Sequence, residues 1–175
     1  MRKLVIALAV TLLVPTAFAA NDGDKEITAK AQFLVELADH IEWQEDTNQA
    51  AKDNVTIYVV GESPVTEALL EQAAAASSES REIKVEVVSV NDDFTGCQIL
   101  YLASDDLGVL AKVLKKVNGT KIITVADAKD FARYGAMINF VVEDGSKVGY
   151  VINKLVAETI GVKLDSKLMD KAVLI

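Results

Sequence analysis

Four short apolar runs, each rich in β-branched residues, alternate along the chain with segments of helical periodicity. The runs lie at residues 55–60, 83–90, 97–102 and 122–125. Strands that alternate with helices pair in parallel, because each helix crosses over the sheet and returns the chain to the same end. We therefore predict an α/β fold, a three-layer α/β/α sandwich with a mainly parallel sheet.

The segments around these runs have apolar residues every three or four positions, which is the spacing of one helix face. The first predicted helix covers residues 27–43 and follows a loose polar leader at residues 20–26. Further helices are predicted at residues 63–76, 104–117, 127–134 and 153–160, with Ser63, Ser104, Asp127 and Asn153 as their caps. Strands at residues 136–143 and 147–153 form a hairpin that adds an antiparallel edge, and the tail at 162–175 packs back on the body.

The first residues have the pattern of an export signal. Arg2 and Lys3 precede an apolar run at residues 4–14, and Ala17-Phe18-Ala19 supplies the small residues that a signal peptidase requires. The run is too short to span a membrane. We expect a signal peptide at 1–19 that is cleaved after Ala19, a single domain at 27–175, and a periplasmic location.

Composition excludes several classes of function. The chain has 18 basic and 26 acidic side chains and a net charge of -8, which argues against nucleic acid as a partner. One cysteine excludes an internal disulfide, and one histidine disfavours a histidine metal cage. The sequence contains no Gly-x-Ser-x-Gly elbow and no glycine-rich phosphate or dinucleotide loop. We therefore expect neither an enzyme nor a cofactor.

A few single residues have both a functional and a structural interpretation. His40 is either a base or pH switch, or a partly exposed helix residue. Cys97 is either a reactive redox thiol or a buried small hydrophobe. Trp43 and Phe33 either offer a ring surface to a ligand or partner, or pack against the core at the end of the first helix.

An ordered set of motifs covers nearly all of the chain after the signal sequence. The motifs are Lys30-Ala31-x-Phe33-Leu34, Ala38-x-x-Ile41-Glu42-Trp43, Cys97-x-Ile99-Leu100-Tyr101, Thr124-Val125-x-Asp127, Phe131-Ala132, Gly135-x-Met137-Ile138-Asn139-Phe140, Ile152-Asn153 and Gly161-x-x-Leu164-x-Ser166-Lys167-Leu168. Together they resemble the YfiR (HmsC-like) family of bacterial periplasmic proteins.

The resemblance implies a regulator. Relatives bind the periplasmic sensor region of an inner-membrane diguanylate cyclase and hold it inactive, which controls cyclic di-GMP and biofilm formation. An outer-membrane lipoprotein sequesters the regulator in those systems, many members form homodimers, and small aromatic metabolites are linked to some.

The motif positions give the candidate site residues. The resemblance implies a partner- or ligand-binding surface that includes Phe33, Glu42, Trp43 and Asn139. Relatives in the redox-sensitive branch carry further cysteines, whereas Cys97 stands alone here, so control by an internal disulfide is excluded. Two other hypotheses stay open: a periplasmic small-ligand receptor that feeds a histidine kinase or a transport system, and a secreted hydrolase with an unrecognised site.

Overall fold

The computed structural model describes residues 21–42, 54–143 and 147–175. The predicted signal peptide and the residues that join the two strands of the predicted hairpin, 144–146, lie outside the described residues. The helices are α1 (Asp22–Leu37), α2 (Val65–Ala76), α3 (Leu107–Val117), α4 (Lys154–Ile160) and α5 (Ser166–Asp170), with short 3-10 turns at Ala38–His40 and Phe131–Tyr134. The strands are β1 (Ile41–Glu42), β2 (Asn54–Val60), β3 (Glu82–Val88), β4 (Ile99–Leu102), β5 (Ile123–Ala126), β6 (Ile138–Glu143), β7 (Lys147–Ile152), β8 (Lys163–Leu164) and β9 (Val173–Leu174).

Seven strands form one sheet in the order β3-β2-β4-β5-β6-β7-β9. The pairs from β3 to β6 are parallel, β6 and β7 form the antiparallel hairpin, and β9 pairs in parallel with β7. The α/β fold with a mainly parallel sheet is therefore confirmed. The hairpin is not the edge of the sheet, however, because the tail returns and adds β9 outside β7.

Side chains that alternate along the central strands point into two separate apolar layers. On one face, Ile57, Ile99 and Val125 join the buried cluster that contains the apolar faces of α1 and α2. On the other face, Leu100 and Leu102 pack with α3. Strands that are apolar on both faces are stable only when both faces are covered, which gives the three predicted layers.

The first helix begins earlier and ends earlier than its apolar pattern predicts. The Asn21 side chain accepts a hydrogen bond from the Asp24 N–H, and the Asp24 carboxylate accepts one from the Asn21 N–H, so the two form a capping box. Residues 22–26 are thus helical, and the prediction of a loose leader there is wrong.

At its other end, α1 stops at Leu37, and Ile41 pairs with Leu164 in a small antiparallel sheet of β1 and β8. The prediction of a helix through residues 41–42 is therefore wrong. Ile41 has helical spacing but is extended because a distant strand supplies its backbone partners. Among the described residues, no helix is long and apolar enough to cross a membrane.

Candidate functional site

The carboxyl ends of β2, β4 and β5 surround a crevice. The chain leaves β2 through α2 on one face of the sheet and leaves β4 through α3 on the other face. The loops that follow these two strands therefore diverge, and open α/β sheets bind ligands at such switch points. The cavity there is about 480 Å³ and is lined by Gly61, Glu62, Ser63, Ala103, Ser104, Asp105, Asp127 and Ala128.

Although the helices that follow lie on opposite faces of the sheet, the loop after β2 and the loop after β4 touch at Gly61. Its φ of 104° lies in the left-handed region, and a Cβ atom at this position would stand 2.7 Å from the carbonyl oxygen of Ala103. Only glycine fits this conformation and this close approach of two backbones. The loops after β2 and β4 thus meet through their backbones at one side of the crevice.

Asp127 is the central polar group of the site. Its Oδ1 accepts a hydrogen bond from Lys30 Nζ at 2.6 Å, and its Oδ2 accepts one from the Tyr101 hydroxyl at 2.9 Å. Lys30 Nζ also lies 2.6 Å from Glu26 Oε1. A single carboxylate therefore ties α1 to the ends of β4 and β5.

The prediction that Asp127 caps a short helix is wrong. The helical turn there is a 3-10 turn that begins only after Asp130, which has a φ of 65°. The carboxylate of Asp127 is left to bind Lys30 and Tyr101. Gly135 ends this turn in the left-handed conformation.

Burial and neighbouring carboxylates shift the pKa of the Lys30 ammonium in opposite directions. Burial alone would lower the pKa of its ammonium, but the hydrogen bonds to Asp127 and Glu26 outweigh burial and raise that pKa above its ordinary value. Burial also raises the pKa of the Tyr101 hydroxyl, and the charge of Asp127 adds to this shift. Lys30 is therefore charged and Tyr101 neutral at physiological pH, which is the state in which both donate to Asp127.

Phe33 lies in an aromatic group next to this network. Its ring centroid is 5.2 Å from that of Phe140 and 4.6 Å from that of Tyr150. Lys30 Nζ lies 5.9 Å from the centroid of the Phe140 ring. Phe33 is partly buried against the core.

The other predicted surface residues are placed separately. The backbone of Glu42, in β1, pairs with that of Lys163, in β8. Trp43 lies outside the described residues. Asn139 is buried, with 2% of its surface exposed. Its Oδ1 accepts from the Ala132 N–H, and its Nδ2 donates to the carbonyls of Ala126 and Phe140.

Cys97 is buried, and its Sγ lies 3.1 Å from the carbonyl oxygen of Ile99. Burial raises the pKa of the thiol to about 12. His40 lies at the end of the 3-10 turn after α1, and its Nδ1 is 2.8 Å from Asp165 Oδ2. The residues that the structure describes contain no group of three metal-binding side chains placed around one point.

Sequence reasoning missed Lys30, Tyr101 and Asp127 as a group. Lys30 stands three residues after Ile27 and four before Leu34, so a charge occupies the apolar face of α1. Asp127 follows directly after β5, at the strand end where α/β proteins place functional groups. Both signals are present in the sequence, but no local motif indicates that Lys30 and Asp127 lie close together in the fold.

A family model described as YfiR/HmsC-like matches residues 28–173, which is most of the chain. The chain belongs to the YfiR/HmsC-like family. This family is known for periplasmic regulators of diguanylate cyclases and is regulatory rather than catalytic. The motif residues Lys30, Phe33, Tyr101, Asp127 and Asn139 all fall within the matched region.

No curated protein matches the chain. Among solved structures, one titled as the ABC domain in complex with L-Trp from Streptococcus pneumonia has a TM-score of 0.57 and 13% identity, over 86% of this chain and 60% of that one. A conserved domain protein from Vibrio cholerae has a TM-score of 0.54 and 14% identity, over 85% of this chain and 59% of that one. At these identities the likeness concerns the fold of this YfiR/HmsC-like chain, which spans about 60% of each structure.

Proposed function

We propose that this protein is a periplasmic negative regulator that binds the periplasmic sensor region of an inner-membrane diguanylate cyclase and holds it inactive. Cyclic di-GMP and biofilm formation rise when the regulator is released. The observation that carries the proposal is the match of the family model over residues 28–173, from α1 to β9.

The chemistry of the site supports a binding role rather than a catalytic one. The most buried charged group that lines the crevice, Asp127, is already satisfied: Lys30 is held between Glu26 and Asp127, and Tyr101 donates to the same aspartate. Repression of a cyclase requires no reaction. It requires only that the regulator bind the inactive conformation more tightly than the active one.

The direct test is the intracellular level of cyclic di-GMP in the native strain with and without the gene. The deletion is complemented with the full sequence and with a version that lacks residues 1–19. We expect cyclic di-GMP to rise on deletion and to return only with the exported form. Unchanged cyclic di-GMP, measured while neighbouring cyclases are expressed, would rule out cyclase repression.

Location, processing and assembly belong to the same proposal. We infer that the signal peptide is cleaved after Ala19, that the mature chain forms a homodimer, and that an outer-membrane lipoprotein sequesters it. The intact mass of protein purified from the periplasm tests the cleavage, and light scattering tests the dimer. Co-purification with outer-membrane lipoproteins tests the third point.

The crevice favours a second candidate function, a small-ligand receptor that feeds a histidine kinase or a transport system. It lies at the switch point of the sheet, and a solved structure with the same fold is titled as a complex with L-Trp. A rise in melting temperature with L-Trp or a related amino acid, lost in Asp127→Asn, is the expected result for a receptor. No shift at millimolar ligand would eliminate these ligands.

A further inference from the structure

The two edge strands of the large sheet differ in how they are protected. An edge strand exposes unpaired N–H and C=O groups, and natural proteins usually shield it with charged side chains. β3, at one edge, carries the ion pair of Lys84 and Glu86. β9, at the other edge, consists of Val173 and Leu174 and carries no charge. Within residues 21–42, 54–143 and 147–175, no strand pairs with the outer side of β9.

The backbone of β9 has a donor and an acceptor directed outward. The Ile175 N–H donates to Ile152 O at 3.0 Å, and Ile175 O accepts from the Lys154 N–H at 3.0 Å. Successive residues of a strand direct their backbone groups to opposite sides. The N–H and C=O of Leu174 therefore point away from β7, where an added strand would bind.

An apolar groove adjoins this edge. It has a volume of about 450 Å³, and Val141, Val151, Val173 and Ile175 form much of its wall. Val173 is 60% exposed, Ile175 41% and Val141 40%. Exposed apolar side chains that cluster in this way are typical of binding surfaces.

The charged side chains at the rim of the groove balance in number, but one cation there has no ion-pair partner among the described residues. Lys129, Arg133 and Asp130 all line it, and Arg133 Nε lies 3.4 Å from Asp130 Oδ1. Asp127 also lines it, but its charge is met by Lys30. Lys129 forms no ion pair with a described residue, so a carboxylate placed beside it would gain a cation partner.

We propose that β9 and this groove bind an extended apolar segment of the partner, which adds a strand to the sheet at Leu174 and places a carboxylate near Lys129. This mode is strand addition, in which backbone hydrogen bonds give affinity and side-chain pockets give specificity. The identity of the partner as a cyclase sensor region rests on the proposed function.

The test is the affinity of the purified regulator for the purified periplasmic sensor domain of the cyclase. Val173→Lys places a charge in the groove, and Leu174→Pro removes the outward N–H, a change that edge strands tolerate. We expect each to weaken binding at least about tenfold. Val87→Lys is the matched control, because Val87 is 61% exposed on the opposite edge strand. It should bind within about twofold of the unmodified protein.

Lys129→Glu tests the charge at the rim. It should weaken binding, and the difference from the unmodified protein should shrink as salt is added. Melting temperatures within a few degrees of the unmodified protein confirm that each variant is folded.

The outcomes separate this inference from the proposed function. If the unmodified protein binds the sensor domain and all variants bind equally, the edge proposal is wrong and cyclase binding stands. If the unmodified protein binds no sensor domain, the proposed function itself fails. If Val173→Lys weakens binding but Leu174→Pro does not, strand addition is wrong. If Val173→Lys changes only self-association, the groove joins two copies of the chain, which also overturns the proposal.

Discussion

Lys30 shows what a buried charge requires. Its side chain is only 6% exposed, yet it carries an ammonium between two carboxylates at 2.6 Å each. Removal of a charge from water costs several kcal/mol unless close partners replace the lost hydration. The position is therefore strongly specified, and no uncharged side chain would satisfy both Glu26 and Asp127.

We predict that Lys30→Met lowers the free energy of unfolding by about 2 kcal/mol. The loss is smaller than for a fully buried pair, because Glu26 and Asp127 are about a third exposed and regain water. Urea titration measures it. Lys25→Met is the control, since Lys25 forms an exposed pair with Asp22 and should change stability by less than about 0.5 kcal/mol. Equal effects of the two changes would contradict a structural role for the buried ammonium.

Cys97 should be inert in the folded protein. Because burial raises its pKa to about 12, almost none of the thiol is ionised at pH 7.5. We predict that alkylation by iodoacetamide is at least about a hundredfold slower in the folded chain than in urea. Rapid labelling of the native protein would revive the redox interpretation of this residue.

At the scale of elements, the sequence predicts what local chemistry determines. The β-branched runs become β2 and β5 within a residue or so, and Asn153 caps α4 by accepting from the Val156 N–H, as predicted. One prediction fails locally, since Asp106 rather than Ser104 caps α3 by accepting from the Gly108 N–H.

Two other predictions fail because of residues distant in sequence. Ile41 is a strand residue because Leu164 pairs with it. Asp127 binds Lys30 and Tyr101 because no helix begins directly after it for its side chain to cap.

The candidate site was less predictable than the fold for the same reason. Lys30 and Asp127 are 97 residues apart, and no local pattern brings them together. Asn139 was predicted from its motif alone, and the structure places its amide among backbone groups of three other residues. Its role in binding a partner or ligand stays a prediction.

The loop after β2 provides a test at this scale. We predict that Gly61→Ala destabilises the protein by about 3 kcal/mol, because the new Cβ meets the Ala103 carbonyl in a left-handed backbone. Gly119→Ala is the matched control: its φ is 77° but nothing lies within 4 Å of the added atom, so only the backbone cost of about 1 kcal/mol remains. Thermal unfolding of both variants measures the difference. Equal losses would show that the two loops do not touch as described.

At the scale of the whole molecule, His40 and Asp165 join the end of α1 to the tail. Asp165 Oδ2 contacts His40 Nδ1, its Oδ1 accepts from the Leu168 N–H, and its own N–H donates to His40 O at 2.9 Å. The hydrogen bond from His40 lowers the pKa of the Asp165 carboxyl, and the one from Leu168 adds to this. A lowered folded pKa means that the ionised carboxylate stabilises the fold above its ordinary pKa and that this stability is lost as pH falls through the folded value.

We predict that Asp165→Asn lowers the melting temperature at pH 7 and reduces its further fall below about pH 4. Asparagine keeps an oxygen for the Leu168 cap, so the change removes the charge and the acceptor that faces His40 while the cap remains. Melting temperature measured from pH 7 to pH 3 gives the comparison. Asp170→Asn, at an exposed position of α5, is the control and should follow the unmodified protein. Parallel pH profiles for Asp165→Asn and the unmodified protein would contradict the linkage.

The sequence separation of Lys30 and Asp127 also bears on when each part of the protein can fold. α1 is synthesised first, but the partner of its ammonium lies 97 residues later, and the partner of His40 lies 125 residues later. Chains whose contacts are far apart in sequence fold slowly, since long loops must close before those distant contacts form. In a chain exported as we propose, α1 has nothing to pack against while it crosses the membrane. The sheet includes β9 at residues 173–174, so under that proposal it would be completed only after nearly the whole chain has been exported.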